Sequence, residues 1–221
     1  MDDLEAIAEK IVEGLEAKDA IRERVLTMSR QVIRCASRSI QAIHRGEYEV
    51  AKGLLSEATG IVAAMGVEAA SYPDIYSAGY VRDAQKEFAE ASVTYALISG
   101  QPLPDPDDLG VEYAAYLNGL GEAMGELRRY ILGLIRRGQP ERGEELLKIM
   151  EDIYGVLVAI DFPHAITGGL RRTTDMVRGV MERTRGDLTM AIRQERLREA
   201  LEELEGRVLK GPEKVDDEPS P

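Results

Sequence analysis

Residues 84–92 read AQKEFAEAS, and the pattern of this stretch decides what kind of protein the chain makes. Phe88 and Ala89 stand between two glutamates, with no glycine or proline in the stretch to break a helix. A helix places Glu87 and Glu90, three residues apart, on one side. A second acidic pair, Glu122 and Glu126 in NGLGEAMGEL (118–127), recurs one helix later. Glu-x-x-Glu is an ordinary pattern on solvated helices. The functional question is whether the two pairs decorate a surface or meet.

Helical periodicity extends outward from this stretch over nearly the whole chain. It predicts helices at roughly 3–45, 48–66, 73–99, 111–137, 140–160 and 164–207. HRGEY stops the first helix at a glycine, Pro73 restarts the chain, and SGQPLPDPDDLG (99–110) is a proline-rich loop. No segment reads as a strand. The expected fold is all-α, a bundle of about six to seven helices. A single domain spans 1–207, followed by an acidic tail at 208–221 that is expected to be disordered.

The 221 residues are enough for one domain with its own core. One cysteine, Cys35, cannot form an internal disulfide, which fits a reducing compartment. No apolar stretch is expected to approach the ~20 residues that span a bilayer. The acidic start MDDLEAIAEK does not resemble a secretory signal. The expectation is a cytoplasmic protein with no membrane partner.

A formal net charge of −12 argues against a polyanionic partner, but the charge is segregated. Residues 1–19 and the tail are acidic, while residues 20–45 hold six arginines against Glu23 alone. At 100° per residue Arg24, Arg30, Arg34, Arg38 and Arg45 fall on one side of the first helix. Val25, Met28, Val32, Ile33, Cys35, Ile40 and Ile43 fall on the other. A solvated helix face normally mixes signs for i,i+4 support. This one does not, which leaves two expectations, an ordinary solvated face opposite a core stripe and a face that contacts nucleic-acid phosphates.

In the fourth long helix Tyr116, Leu117, Leu120, Met124, Leu127, Ile131 and Ile135 make an apolar stripe. Glu122 and Glu126 lie opposite it, beside Asn118, Gly119, Gly125 and Gly133. A glycine costs about 1 kcal/mol in a helix interior, so several of them beside two carboxylates imply close approach by a helix, a metal or a ligand. Two carboxylate pairs on antiparallel neighbouring helices could converge, and four carboxylates share a site only if a cation or protons relieve the repulsion. Oxygen-only ligation suits Mg²⁺ or Mn²⁺. A di-iron bundle would need Glu-x-x-His, which neither His44 nor His164 supplies. His44 is expected to partner a helix C-terminus. Cys35, Met28, Met124, Met176 and Met181 are expected in the core.

Four segments, in this order and spacing, resemble the translin/TRAX family, and specifically a TRAX-like subunit of prokaryotic, archaeal type. RERVLTMSRQVIRCASRSIQAIHRGE (22–47) is similar to the family's first long helix. AQKEFAEASVTYALISG (84–100) resembles the segment around Gln-Glu-Tyr-Val-Glu-Ala. YLNGLGEAMGELRRYILGLIRRGQ (116–139) resembles Tyr-Leu-Leu-Gly-Val-Ala-Asp-Leu-Thr-Gly-Glu-Leu. IYGVLVAIDFPHAITGGLRRTTDMVRGVMERT (153–184) resembles the approach to the last helix. The resemblance implies a translin-like bundle assembling into a closed homo-oligomer, an octamer around a cavity. It implies Mg²⁺-dependent endoribonuclease activity on single-stranded RNA, with single-stranded DNA as a further ligand. The family's carboxylates fall on Glu87, Glu90, Glu122 and Glu126, as catalytic residues and metal ligands. One position departs, since Glu122 stands where TRAX has aspartate, moving the ligand oxygen by one methylene. The loop at 100–110 is also shorter than in the eukaryotic subunit. The competing expectations are a catalytically silent nucleic-acid-binding scaffold of translin type and a helical assembly protein with no nucleic-acid role.

Overall fold

The first helix, α1 (Asp2–Arg45), ends where Gly46 takes φ 76°, a left-handed turn that suits a residue without Cβ. The chain reverses there into α2 (Tyr48–Glu68). The two run antiparallel, with the Ser39 hydroxyl donating to the Ala51 carbonyl at 3.2 Å near the turn. Arg24 meets Glu68 at the far end. The structure, a computed structural model, describes residues 2–210. These form nine helices and no strand.

The remaining long helices are α4 (Gly79–Ser99), α6 (Tyr113–Arg136), α7 (Glu141–Ala159) and α9 (Leu170–Lys210). Between them lie one-turn helices α3 (Pro73–Tyr76), α5 (Pro106–Leu109) and α8 (His164–Thr167). Two of the expected long helices are therefore broken. The segment expected at 73–99 breaks at Ser77 and Ala78, where Ala78 is extended (φ −68°, ψ 149°). The segment expected at 164–207 breaks at Gly168 and Gly169, both left-handed. The last helix runs to Lys210; the rest of the acidic tail, and its expected disorder, lie outside the described residues.

One core cluster joins α1, α2 and α4 through Val25, Val32, Val62, Met65, Val81 and Phe88. The other joins α6, α7 and α9 through Leu127, Ile131, Met150, Leu157, Val177 and Leu188. Each fully buried side chain of this size contributes about 1.5–3 kcal/mol. The apolar sides expected for the first and fourth long helices are the buried ones, and Cys35, Met124 and Met181 are core. Met176 is not: it is 39% exposed beside the Gly168–Gly169 break.

The α2 helix corrects the membrane expectation. It is the one helix among the described residues long and apolar enough to cross a membrane, with mean hydropathy 1.3. Few charges interrupt it, and alanines and glycines fill it. It lies along α1 and buries Ala51, Ala58, Val62 and Met65.

A further correction concerns α4 and α6, expected to be antiparallel. They are parallel. Gln85 accepts from the Glu112 N–H at the start of α6, and the following turn of α4, Lys86 to Glu90, sits on Gly119 further along α6. Residues 100–112 make this possible, because even with the α5 turn inside them they reach about 35 Å against about 30 Å for α4. The two backbones close on Gly119. A Cβ there would lie 2.6 Å from the Lys86 carbonyl oxygen and 2.9 Å from the Glu90 nitrogen. Backbone cannot rotate away as a side chain can. Gly119→Ala is therefore expected to force the helices apart and cost about 1–3 kcal/mol, despite alanine's better helix propensity. A melting temperature equal to or above wild type would contradict this packing.

Candidate metal centre and nucleic-acid interface

Contact at Gly119 is what brings the first acidic pair to Glu122 of the second. The α4 turn from Lys86 to Glu90 sits on Gly119, and Glu122 follows three residues later on the same face of α6. Glu87, Glu90 and Glu122 each offer an oxygen, and these oxygens lie within 4.8 Å of one another. All three side chains are half-buried. The glycines split in their reasons. Gly119 admits another helix. Gly121 admits Thr173 of α9, while a Cβ on Gly125 would meet open space.

The fourth carboxylate is placed differently. Glu126 is hydrogen-bonded to His44 Nε2 at the end of α1, with Arg129 3.6 Å away. His44 thus does more than face its own helix terminus: it ties α1 to the acidic cluster. Its position one residue before the Arg45–Gly46 stop could have flagged it, but the pairing of α1 with α6 is not local. Lys86 is a second residue the sequence reading passed over. Its Nζ lies 2.9 Å from Glu122 Oε1 and 3.7 Å from Glu87 Oε1, inside the acidic group.

Electrostatics separate the four acids. Burial pushes the Glu90 carboxyl up to about 8, and the charges of Glu87, Glu122 and Glu126 add to the shift. Burial also raises Glu87, which Lys86 partly offsets while Glu122 adds to it. The His44 hydrogen bond holds Glu126 below the usual carboxylate range, against its burial. Burial works against the Lys86 ammonium, yet the bond to Glu122 and the surrounding carboxylates outweigh it and raise its pKa. The cluster is short of positive charge even with Lys86 in place. Its donors are all oxygens, half-buried and close together, which fits a hard divalent cation.

All five α1 arginines are exposed. Two depart from the expected acid-free face: Arg24 pairs with Glu68 and Arg45 with Glu47, as the turn into α2 brings those acids back alongside. Arg30, Arg34 and Arg38 have no ion-pair partner among the described residues.

No protein-family model matches the chain. Uncharacterized protein MJ0175 of Methanocaldococcus jannaschii is 30% identical over 197 residues, covering 88% of this chain and 87% of its own. Among solved structures, AfC3PO in complex with duplex RNA has a TM-score of 0.78 and 36% identity, over 83% of this chain and 95% of that one. AfC3PO without the duplex is similar, at 0.78 and 35% over 83% and 96%. The apo-NeC3PO structure, at 0.76 and 22% identity over 83% and 96%, is alike in fold. The all-helical bundle and similarity over most of both chains agree with the resemblance carried by the four sequence segments, and the chain belongs to the translin/TRAX family of C3PO proteins.

Proposed function

We propose that the chain is a divalent-cation-dependent endoribonuclease for single-stranded RNA, working inside a closed homo-oligomer, an octamer. The observation that carries this reading is the three-carboxylate cluster at the α4–α6 contact, with Glu90 held protonated up to about 8 unless positive charge arrives. A surface pair has no such demand. Glu87, Glu90 and Glu122 would hold Mg²⁺ or Mn²⁺, with Glu126 completing the set. The cation, when bound, supplies charge neutralisation at the scissile phosphate and a more acidic water.

The chain's own residues do the rest. Glu126, kept ionised by His44, presents a fixed carboxylate from the α6 side. Lys86, 2.9 Å from Glu122, would yield that carboxylate to a bound cation, and its ammonium could then meet a phosphate oxygen. Arg30, Arg34 and Arg38 attract the RNA backbone, whose affinity is largely electrostatic. Assembly into a closed oligomer would put this basic face inside and the acidic N-terminal segment outside, so that RNA meets local positive charge within about 8 Å, the Debye length at physiological salt.

One observation favours a second reading, a binding scaffold without catalysis. Lys86 already neutralises part of the cluster, so the carboxylates can stand without a metal. Incubation of the purified protein with labelled single-stranded and duplex RNA, with Mg²⁺ and with a chelator, decides between them. Endonucleolytic products that require Mg²⁺ support the nuclease; binding without products under both conditions supports the scaffold.

A further inference from the structure

Two adjoining cavities lie on the α6 N-terminal side of the carboxylates. The first, about 1060 Å³, begins at Glu122 and Lys86 and is lined by Arg82, His164, Arg171 and Arg172. Arg82, Arg171 and Arg172 are exposed and have no ion-pair partner among the described residues. Asp83 and Asp175 also line it, with Asp175 3.5 Å from Arg178. The second cavity, about 870 Å³, adjoins the first across His164, Gly169, Arg171 and Asp175, which line both. Phe162, Tyr154, Val158 and Asp161 line it and not the first.

We infer that this trough is the path of a single nucleic-acid strand, from the carboxylates along Arg82, Arg172 and Arg171 to a base-stacking subsite at Phe162. The inference deepens the proposed function and rests on it. The chemistry changes along the trough in the order a strand requires. Unpaired cations match a phosphodiester backbone, and an open aromatic face matches a base, which stacks whatever its identity. Isolated exposed apolar side chains are ordinary. Phe162 differs in its place: it is 63% exposed, in the short connection between α7 and α8, in the cavity that shares Arg171 with the one holding Arg82, Arg172 and the acidic cluster.

The wall is rigid where it needs to be. Asn118, almost fully buried, donates to the Thr167 carbonyl at 2.8 Å and accepts from the Thr173 hydroxyl at 2.6 Å. It thereby locks α6 to α8 and to the first turn of α9, which carries Arg171 and Arg172. The arginines of α1 play a different part here, as a general attractive face; the trough sets where the strand lies.

The test is fluorescence anisotropy with the full chain in chelator, which prevents cleavage, using a labelled single-stranded oligouridine and a matched RNA duplex over a salt series. Arg82→Gln/Arg172→Gln is expected to flatten the single-strand salt slope by about 1–1.5, since each phosphate contact contributes about 0.7. Phe162→Ala is expected to weaken single-strand binding about tenfold with the slope unchanged and duplex binding retained, and Phe162→Trp to restore it. All these side chains are exposed, so the fold is not at risk. If wild type binds and these variants bind as well as wild type, or if Phe162→Ala weakens duplex and single strand equally, the path is overturned while the proposed function stands. A wild-type protein that binds no RNA overturns the proposed function and the path with it.

Discussion

Glu90→Gln is expected to lower metal-dependent RNA cleavage by at least about 100-fold and, in the same protein without metal, to raise the melting temperature. The first effect follows from the ligand set. Loss of partners that merely orient metal ligands costs about 10–100-fold, and Glu90 sits inside the group whose oxygens lie within 4.8 Å. The second effect follows from its carboxyl, pushed up to about 8 by burial and by three neighbouring acids. In the unfolded chain the carboxyl titrates in its ordinary range. Between that range and about pH 8 the folded state holds a proton that the unfolded state has lost, so wild-type stability falls as pH rises through this window. The full displacement corresponds to at most about 5 kcal/mol. Solvent reaches this half-buried site and Lys86 lies close by, so about 1–2 kcal/mol is expected, or a few degrees for a chain of this length. The amide does not ionise. Its advantage over wild type therefore grows from about pH 5 to pH 8 and then levels off. Melts by circular dichroism across this range, with and without Mg²⁺, check both signs. A variant that melts like wild type at every pH would mean that Glu90 is a solvated surface acid.

Helix content, and which side of each helix is apolar, could be read from the sequence because both depend on residues within a few turns. The α1 face is an example: Val25, Val32 and Ile43 are buried and Arg30, Arg34 and Arg38 exposed, as 100° steps require. The four glutamates could be named from their spacing and from the family resemblance. What could not be read was their division into three and one, because it depends on partners far away in the chain. Lys86 joins the two acidic pairs only because α4 packs on α6 at Gly119, which brings Glu122 to its ammonium. His44 reaches Glu126 across 82 positions of sequence. Arg24 and Arg45 looked unpaired because their acids, Glu68 and Glu47, lie on or beside the next helix. The cleft at Arg82, Arg171 and Arg172 had no linear signature, since it joins two segments about 90 residues apart.

The affinity for Mn²⁺, used as a spectroscopic stand-in for Mg²⁺, is expected to fall about tenfold for each pH unit below about 8, or roughly 100-fold between pH 8 and pH 6. A divalent cation takes the ionised carboxylate, so a proton on Glu90 competes directly with it. Above about 8 the proton is gone and affinity levels off. Glu126 does not add to this dependence, because His44 keeps it ionised well below this range. Glu87 is also raised by burial, which works in the same direction. Lys86 sets the level of the curve. Its ammonium, 2.9 Å from Glu122, must give way to the cation, so Lys86→Gln is expected to tighten Mn²⁺ binding at every pH while leaving the proton-linked slope in place. Glu90→Gln is expected to flatten the slope and weaken binding at pH 8. Titration of the Mn²⁺ electron paramagnetic resonance signal measures all three proteins without RNA, so the result is independent of catalysis. A wild-type affinity that is the same at pH 6 and pH 8 would remove Glu90 from the metal site. Weaker binding by Lys86→Gln would show that the ammonium supports the cluster rather than competing for it.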